Sequence, residues 1–176
     1  MKNLLLIPVF LVLTCLTGCD AVEGLKFQNL VVPGTMSFNI VSSDNNEAIL
    51  SDTIDLSKNS DFMNNKSKIE NLEVKDITFK MTRLETGAAD TIVDGKLEVL
   101  NPATGNYEAL TSYTNKKLVL SQEELVVYNT AVTNVLINSV KNSPHRAIFR
   151  YNVKMNKKPV NMDIEFTIRY TLKIKV

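Results

Sequence analysis

Val160, Met162, Ile164, Phe166, Ile168, Tyr170, Leu172, Ile174 and Val176 take every even position at the C-terminus. Asn161, Asp163, Glu165, Thr167, Arg169, Thr171, Lys173 and Lys175 take the odd ones. A side-chain period of two gives a strand one apolar and one polar face. Ala147, Phe149, Tyr151, Val153 and Met155 alternate in the same way, and Asn156-Lys157-Lys158-Pro159 separates the two runs. A loop of that length would set Met155 opposite Val160 with both apolar faces coincident. The spacing therefore predicts a C-terminal β-hairpin.

Before the hairpin the period changes. Leu125, Tyr128, Val132, Val135, Leu136 and Val140 recur at helical spacing, with Asn134 and Asn138 on the other side. Ser121-Gln122-Glu123-Glu124 has the form of a capping box, and Ser143-Pro144 is a stop signal, so a helix over 121–141 is predicted. Val126, Val127, Thr130, Val132 and Thr133 weaken its intrinsic propensity, so it depends on packing against a sheet.

Upstream, Phe38 and Ile40 alternate with Ser37, Asn39 and Val41, and Ser43-Asp44-Asn45-Asn46 turns the chain into a return strand, Ala48–Leu56. Residues 60–68 suggest a short helix capped by Ser60, with Phe62 and Ile69 as its apolar contacts. Ile77, Phe79 and Met81 make a further strand that turns through 85–90 into Thr91–Leu100. Asn101–Asn106 is another turn cluster, and Lys116–Leu120 a short strand leading to the helix. Short strands between turns, without regular strand–helix alternation, predict a mainly β fold. The expected form is an antiparallel β-sandwich with one longer amphipathic helix closing an edge or an end, before the C-terminal hairpin.

The N-terminus adds a compartment. Met1-Lys2-Asn3 precedes an apolar run from Leu4 to Leu13, and Leu16-Thr17-Gly18-Cys19 follows. A charged start, a short apolar core and small residues form a secretory signal, and the run is shorter than the roughly 20 residues a bilayer span needs. Leu16-Thr17-Gly18-Cys19 resembles the lipobox of bacterial lipoproteins. The resemblance covers residues 1–19 and implies cleavage before Cys19, a diacylglyceryl thioether on its sulfur, and an acyl chain on the new amine. Residues 1–18 are then a signal peptide, 19–34 a lipidated cysteine and tether broken by Gly24 and Pro33-Gly34, and 35–176 a single β-rich domain. For enteric lipoproteins, an aspartate after the cysteine, as Asp20 is here, implies retention at the inner membrane. The Asn- and Lys-rich composition and the acidic Asp20 and Glu23 favour the outer membrane of another lineage.

Charge and cysteine content narrow the function. The chain has 20 basic and 19 acidic side chains, and loss of Lys2 with the signal balances them. That gives no electrostatic basis for nucleic-acid binding. Cys15 lies in the signal and Cys19 would be acylated, so the domain has no disulfide and depends on its core alone.

Candidate chemistry is sparse. His145 is the only histidine; it lacks a Gly-x-Ser-x-Gly elbow and sits at a strand start, as an edge residue would. One histidine and no free cysteine exclude the usual zinc sites. Asp44-Asn45-Asn46-Glu47 is oxygen-rich but lacks the glycine and glutamate spacing of a calcium loop. Asp90 and Asp94 suit turn chemistry as well as a shared cation. Glu123 and Glu124, as helix neighbours, would not face each other and would serve the cap. Lys116-Lys117 and Lys157-Lys158 fit solvated turns. Tyr128, Tyr151 and Tyr170 fall on apolar faces and are expected in the core, while Tyr107 and Tyr113 form no evident stacking platform for sugars.

The sequence thus leads to a lipid-anchored cell-envelope interaction or structural module without catalysis or cofactor. Its partners would be the membrane, through Cys19, and an envelope protein. The alternative is a carrier or sensor of an apolar, lipid-like ligand held between the helix and the sheet.

Overall fold

The alternating runs become strands β1 (Phe27–Ser42), β2 (Glu47–Asp55), β3 (Ile69–Leu84), β4 (Ile92–Leu100), β5 (Tyr107–Lys117), β6 (Glu123–Leu125), β7 (Arg146–Met155) and β8 (Val160–Lys175). They are joined by helices α1 (Ser60–Asn65) and α2 (Thr130–Lys141). The computed structural model describes residues 27–42, 46–85, 92–117, 119–156 and 160–176. The signal peptide, Cys19, the 43–45 and 86–91 turns and the Lys157-Lys158 doublet lie outside the described residues.

The strands build two antiparallel four-stranded sheets, β1-β8-β3-β6 and β2-β7-β4-β5. Successive strands cross from one sheet to the other except at β4–β5, and this order is that of a jelly roll. Apolar side chains from both inner faces form one core. Phe38 of β1, Tyr151 of β7 and Phe166 of β8 meet at its centre. Their ring centroids lie 5.2 Å (Phe38–Tyr151), 6.0 Å (Phe38–Phe166) and 5.3 Å (Tyr151–Phe166) apart.

The alternation of β7 and β8 is as expected, with Ala147 to Met155 and Met162 to Leu172 inward and buried. The hairpin is not. β7 lies between β2 and β4, and β8 between β1 and β3, in the opposite sheet. Two amphipathic strands bury the same side chains whether they pair edge to edge or face each other across a core. Here each instead gains hydrogen-bonded neighbours on both edges. The same correction applies to the return strands: β1 and β2, and β3 and β4, occupy different sheets. β4 and β5 do form a hairpin through the Asn101–Asn106 turn, where Asn101 and Asn106 are joined by a backbone hydrogen bond of 2.8 Å.

The domain begins earlier than the tether boundary at residue 34. Residues 27–34 belong to β1 and pair with β8. Pro33 and Gly34 do not break the chain there. The Ser37 N–H points off the edge, to Asp52 Oδ2 at 2.8 Å. Pro33 shares that parity, so it removes no bond from the β1–β8 ladder. Gly34 lies where a Cβ would come 2.6 Å from Ile54 Cγ2, so its lack of a side chain lets β1 and β2 close the sandwich edge.

The helix over 121–141 shortens to α2, residues 130–141. Ser121 is in a turn with φ 61°, and Glu123–Leu125 form β6 on β3, not a first helical turn. The cap is Asn129, whose Oδ1 accepts from the Ala131 N–H at 3.0 Å. Leu125, placed on the apolar helix face by its spacing, is 76% exposed, whereas Val132, Leu136 and Val140 are buried. The helix touches β3 of one sheet and β4, β5 and β7 of the other, so it bridges the two sheets. α1 is likewise capped by Asn59 rather than Ser60: Asn59 Oδ1 accepts from the Phe62 N–H at 3.0 Å, and Phe62 is buried.

Candidate functional site

The outer face of β2-β7-β4-β5 carries the most concentrated chemistry. Cross-strand pairing sets Glu98 beside Arg150 and Lys96 beside Asn152. All four side chains leave the sheet on one face and converge on the Glu98 carboxylate. Lys96 Nζ lies 2.7 Å from Oε1, while Arg150 Nε and Asn152 Nδ2 each donate to Oε2 at 2.7 Å. The Arg150 guanidinium stacks on Tyr107, 4.1 Å from the ring centroid. Glu98 is only 3% exposed although it points away from the core. Burial raises its pKa, but the hydrogen bonds from Arg150 and Lys96 outweigh that and hold it below the ordinary carboxylate range. A carboxylate held by two cations and an amide is a fixed anion, not a proton carrier.

Beside this cluster a groove of about 360 Å³ crosses the strands. Ala48, Val153, Gly95 and Tyr113 share one cross-strand row and turn their side chains or Hα atoms inward, so the sheet backbone floors the groove. Ile49, Asn152, Lys96 and Ser112 border one side, and Glu47, Lys154, Asp94 and Thr114 the other. Lys154 pairs with Glu47 at 3.1 Å, and Asp94 Oδ1 accepts from the Asn115 N–H at 2.7 Å. That last bond fixes a bulge in β5, where Asn115 has φ 51°. Gly95 is obligatory: a Cβ there would come 2.3 Å from the Tyr113 ring.

Under the groove the Tyr113 and Tyr151 hydroxyls are hydrogen-bonded to each other. Burial pushes the Tyr113 hydroxyl up to about 12, and Tyr151 rises well above the usual tyrosine value for the same reason. Tyr113 also stacks on Phe79, with centroids 5.6 Å apart. Phe79 and Tyr113 floor a crevice of about 180 Å³ between β5 and residues 124–127.

The residues singled out in the sequence do not converge. His145 has φ 64°, donates through Nδ1 to the Val140 carbonyl at 3.1 Å, and packs its ring 5.3 Å from Phe62. It thus joins the end of α2 to α1. Glu123 pairs with Arg169 at 2.5 Å and Glu124 with Lys116, on opposite faces of β6 rather than around a helix. Asp90 and the Asp44-Asn45 pair lie outside the described residues. Tyr151 and Tyr170 are core, as expected; Tyr128 is half-buried and donates to the Val74 carbonyl at 3.3 Å. Among the described residues no group of three or more His, Cys, Asp or Glu side chains could hold a metal. None of their helices is long and apolar enough to cross a membrane.

Glu98, Arg150 and the Lys96/Asn152 pair were not singled out in the sequence. Lys96 and Glu98, like Arg150 and Asn152, are two apart and so share a strand face. Their convergence also requires β4 to neighbour β7, which alternation does not encode.

No protein-family model matches the chain, and no curated protein is significantly similar to it. Solved structures that overlap it include tobacco necrosis virus, at TM-score 0.41 and 8% identity, covering 85% of this chain and 97% of that one. The decameric BFDV capsid protein overlaps at TM-score 0.40 and 9% identity, over 82% of this chain and 99% of that one. Turnip yellow mosaic virus at 100 K gives TM-score 0.38 and 6% identity, over 85% and 96%. These overlaps are too loose to bear on function, and the fold assignment rests on the strand order alone.

Proposed function

We propose that the chain is a lipid-anchored interaction module of the bacterial cell envelope, held by a thioether on Cys19 and acting without catalysis through the groove on β2-β7-β4-β5. The observation that carries this reading is the state of the groove's ionisable groups. Glu47 is held by Lys154, Lys96 by Glu98, and Asp94 by the Asn115 N–H. A mixed-charge surface with its charges mutually engaged suits recognition. Ile49, 72% exposed on the rim, supplies an apolar contact point. The lipobox resemblance supports the anchor.

The carrier of an apolar ligand has less support. Its cavity would lie between α2 and the sheets, where Val132, Leu136 and Val140 pack into the common core.

Crosslinking in intact envelopes followed by affinity recovery tests the module. Reproducible partners should be captured by the parent chain and lost with Ile49→Glu, whose side chain is exposed and outside the core. Recovery of the same partners by both proteins would remove the groove from the mechanism. Fatty-acid labelling tests the anchor: Cys19→Ser should abolish it, and normal labelling of that variant would overturn the assignment. Protease shaving of intact cells reports whether the domain is on the outer membrane and faces outward.

A further inference from the structure

Each sheet has two edge strands, and unpaired strand edges are templates for further pairing. Three of the four are guarded. β6 has only three residues. The β5 edge is covered by the segment after β6: the Thr111 hydroxyl donates to the Val127 carbonyl at 2.7 Å and the Asn129 N–H to the Leu110 carbonyl at 2.7 Å. β2 is nine residues long and carries Glu47, Asp52 and Asp55.

β1 is different. It has 16 residues, and its protection is confined to the second half. Asp52 caps the Ser37 N–H, and Gly34 packs on Ile54, so β2 runs beside residues from 34 onward. Phe27-Gln28-Asn29-Leu30-Val31-Val32 has β8 on one side and no described strand on the other. The segment carries no charge of its own, and at its start Lys173 Nζ lies 4.4 Å from the Phe27 ring centroid.

We propose that this half-edge pairs with the same half-edge of a second copy, antiparallel about a two-fold axis at Asn29. Parity fixes the register. Odd residues of β1 direct their N–H and C=O groups off the edge, as Ser37 shows, so Phe27, Asn29 and Val31 are the residues free to bond outward. An antiparallel two-fold match of these sets Asn29 opposite Asn29 and Phe27 opposite Val31 of the second copy. Pro33, the next odd residue, has no N–H and ends the ladder. A second copy is the occupant that fits because an uncharged edge meets its own image without like-charge repulsion, and two-fold pairing is self-complementary by construction. Such a ladder is short. Confinement of both copies to one membrane, which rests on the proposed anchor, raises their effective concentration.

Cysteine crosslinking of the full chain in the cells that make it tests both pairing and register. Directly opposed residues of an antiparallel pair lie about 5.5 Å apart at Cα, within disulfide reach. Asn29→Cys should give a disulfide-linked dimer under mild oxidation. Val31→Cys alone should not, and its co-expression with Phe27→Cys should restore the crosslink. No dimer from Asn29→Cys, or equal yields from Asn29→Cys and Val31→Cys, would overturn the proposal. Fractionation of the same cells separates this from the anchor: crosslinked dimer in the soluble fraction would support the pairing while the lipid assignment fell.

Discussion

Tyr170 carries its hydroxyl into the core with no hydrogen-bond partner among the described residues, and burial raises its pKa accordingly. An unpaired buried hydroxyl costs about 1–3 kcal/mol. Tyr170→Phe keeps the ring beside Gly34 and removes that cost, so urea unfolding should show a gain of about that size. An equal or lower stability would mean that the hydroxyl is satisfied. Glu98 is the opposite case, a buried carboxylate with every partner in place. Its pKa is depressed in the folded state, so its contribution is complete above the ordinary carboxylate range, about 4, and is lost as pH falls through the folded value. Glu98→Gln should therefore be less stable than the parent near neutral pH, and the difference should shrink in acid. Unfolding curves that differ by the same amount at about pH 7 and about pH 3 would reject this.

At the scale of elements, caps and bulges decided what periodicity could not. The capping box at 121–124 has the right residue types, but Leu125 and Val127 are left exposed and Glu123–Leu125 instead extend β3's sheet. Asn129 does the capping, so Asn129→Ala should lower stability by about 0.5–2 kcal/mol. Ser121→Ala should stay within about 0.5 kcal/mol. Thermal unfolding of the two variants side by side distinguishes the start sites. β5 lacks a legible period for a related reason. Residues 107–115 show no regular alternation, because bulges opposite Leu97–Glu98 and Val93–Gly95 interrupt it. Leu110 and Thr111, adjacent in sequence, are both buried, and no period-two template contains that pair. The bulges are also what bring Tyr113 over Gly95 and so shape the groove.

For the whole molecule, the packing of one sheet on the other is the main source of stability. Phe166 is fully buried and touches Phe38, Phe79 and Tyr151, from both sheets. Phe166→Ala should cost about 3–5 kcal/mol, and a loss below about 1 kcal/mol in denaturant unfolding would show that the core collapses around the gap. The sequence by itself determined which side chains face inward along β7 and β8, the mainly β character and the apolar stripe of α2, because alternation and helical spacing are local properties of the backbone. Only the tertiary structure decided which strands are neighbours. That choice placed β7 and β8 in opposite sheets, drew 27–34 into β1, and brought Lys96, Glu98, Arg150 and Asn152 together. The physical reason is that burial fixes a strand's face, whereas pairing depends on which other strand edges remain free, and free edges belong to the assembled sheet rather than to any segment.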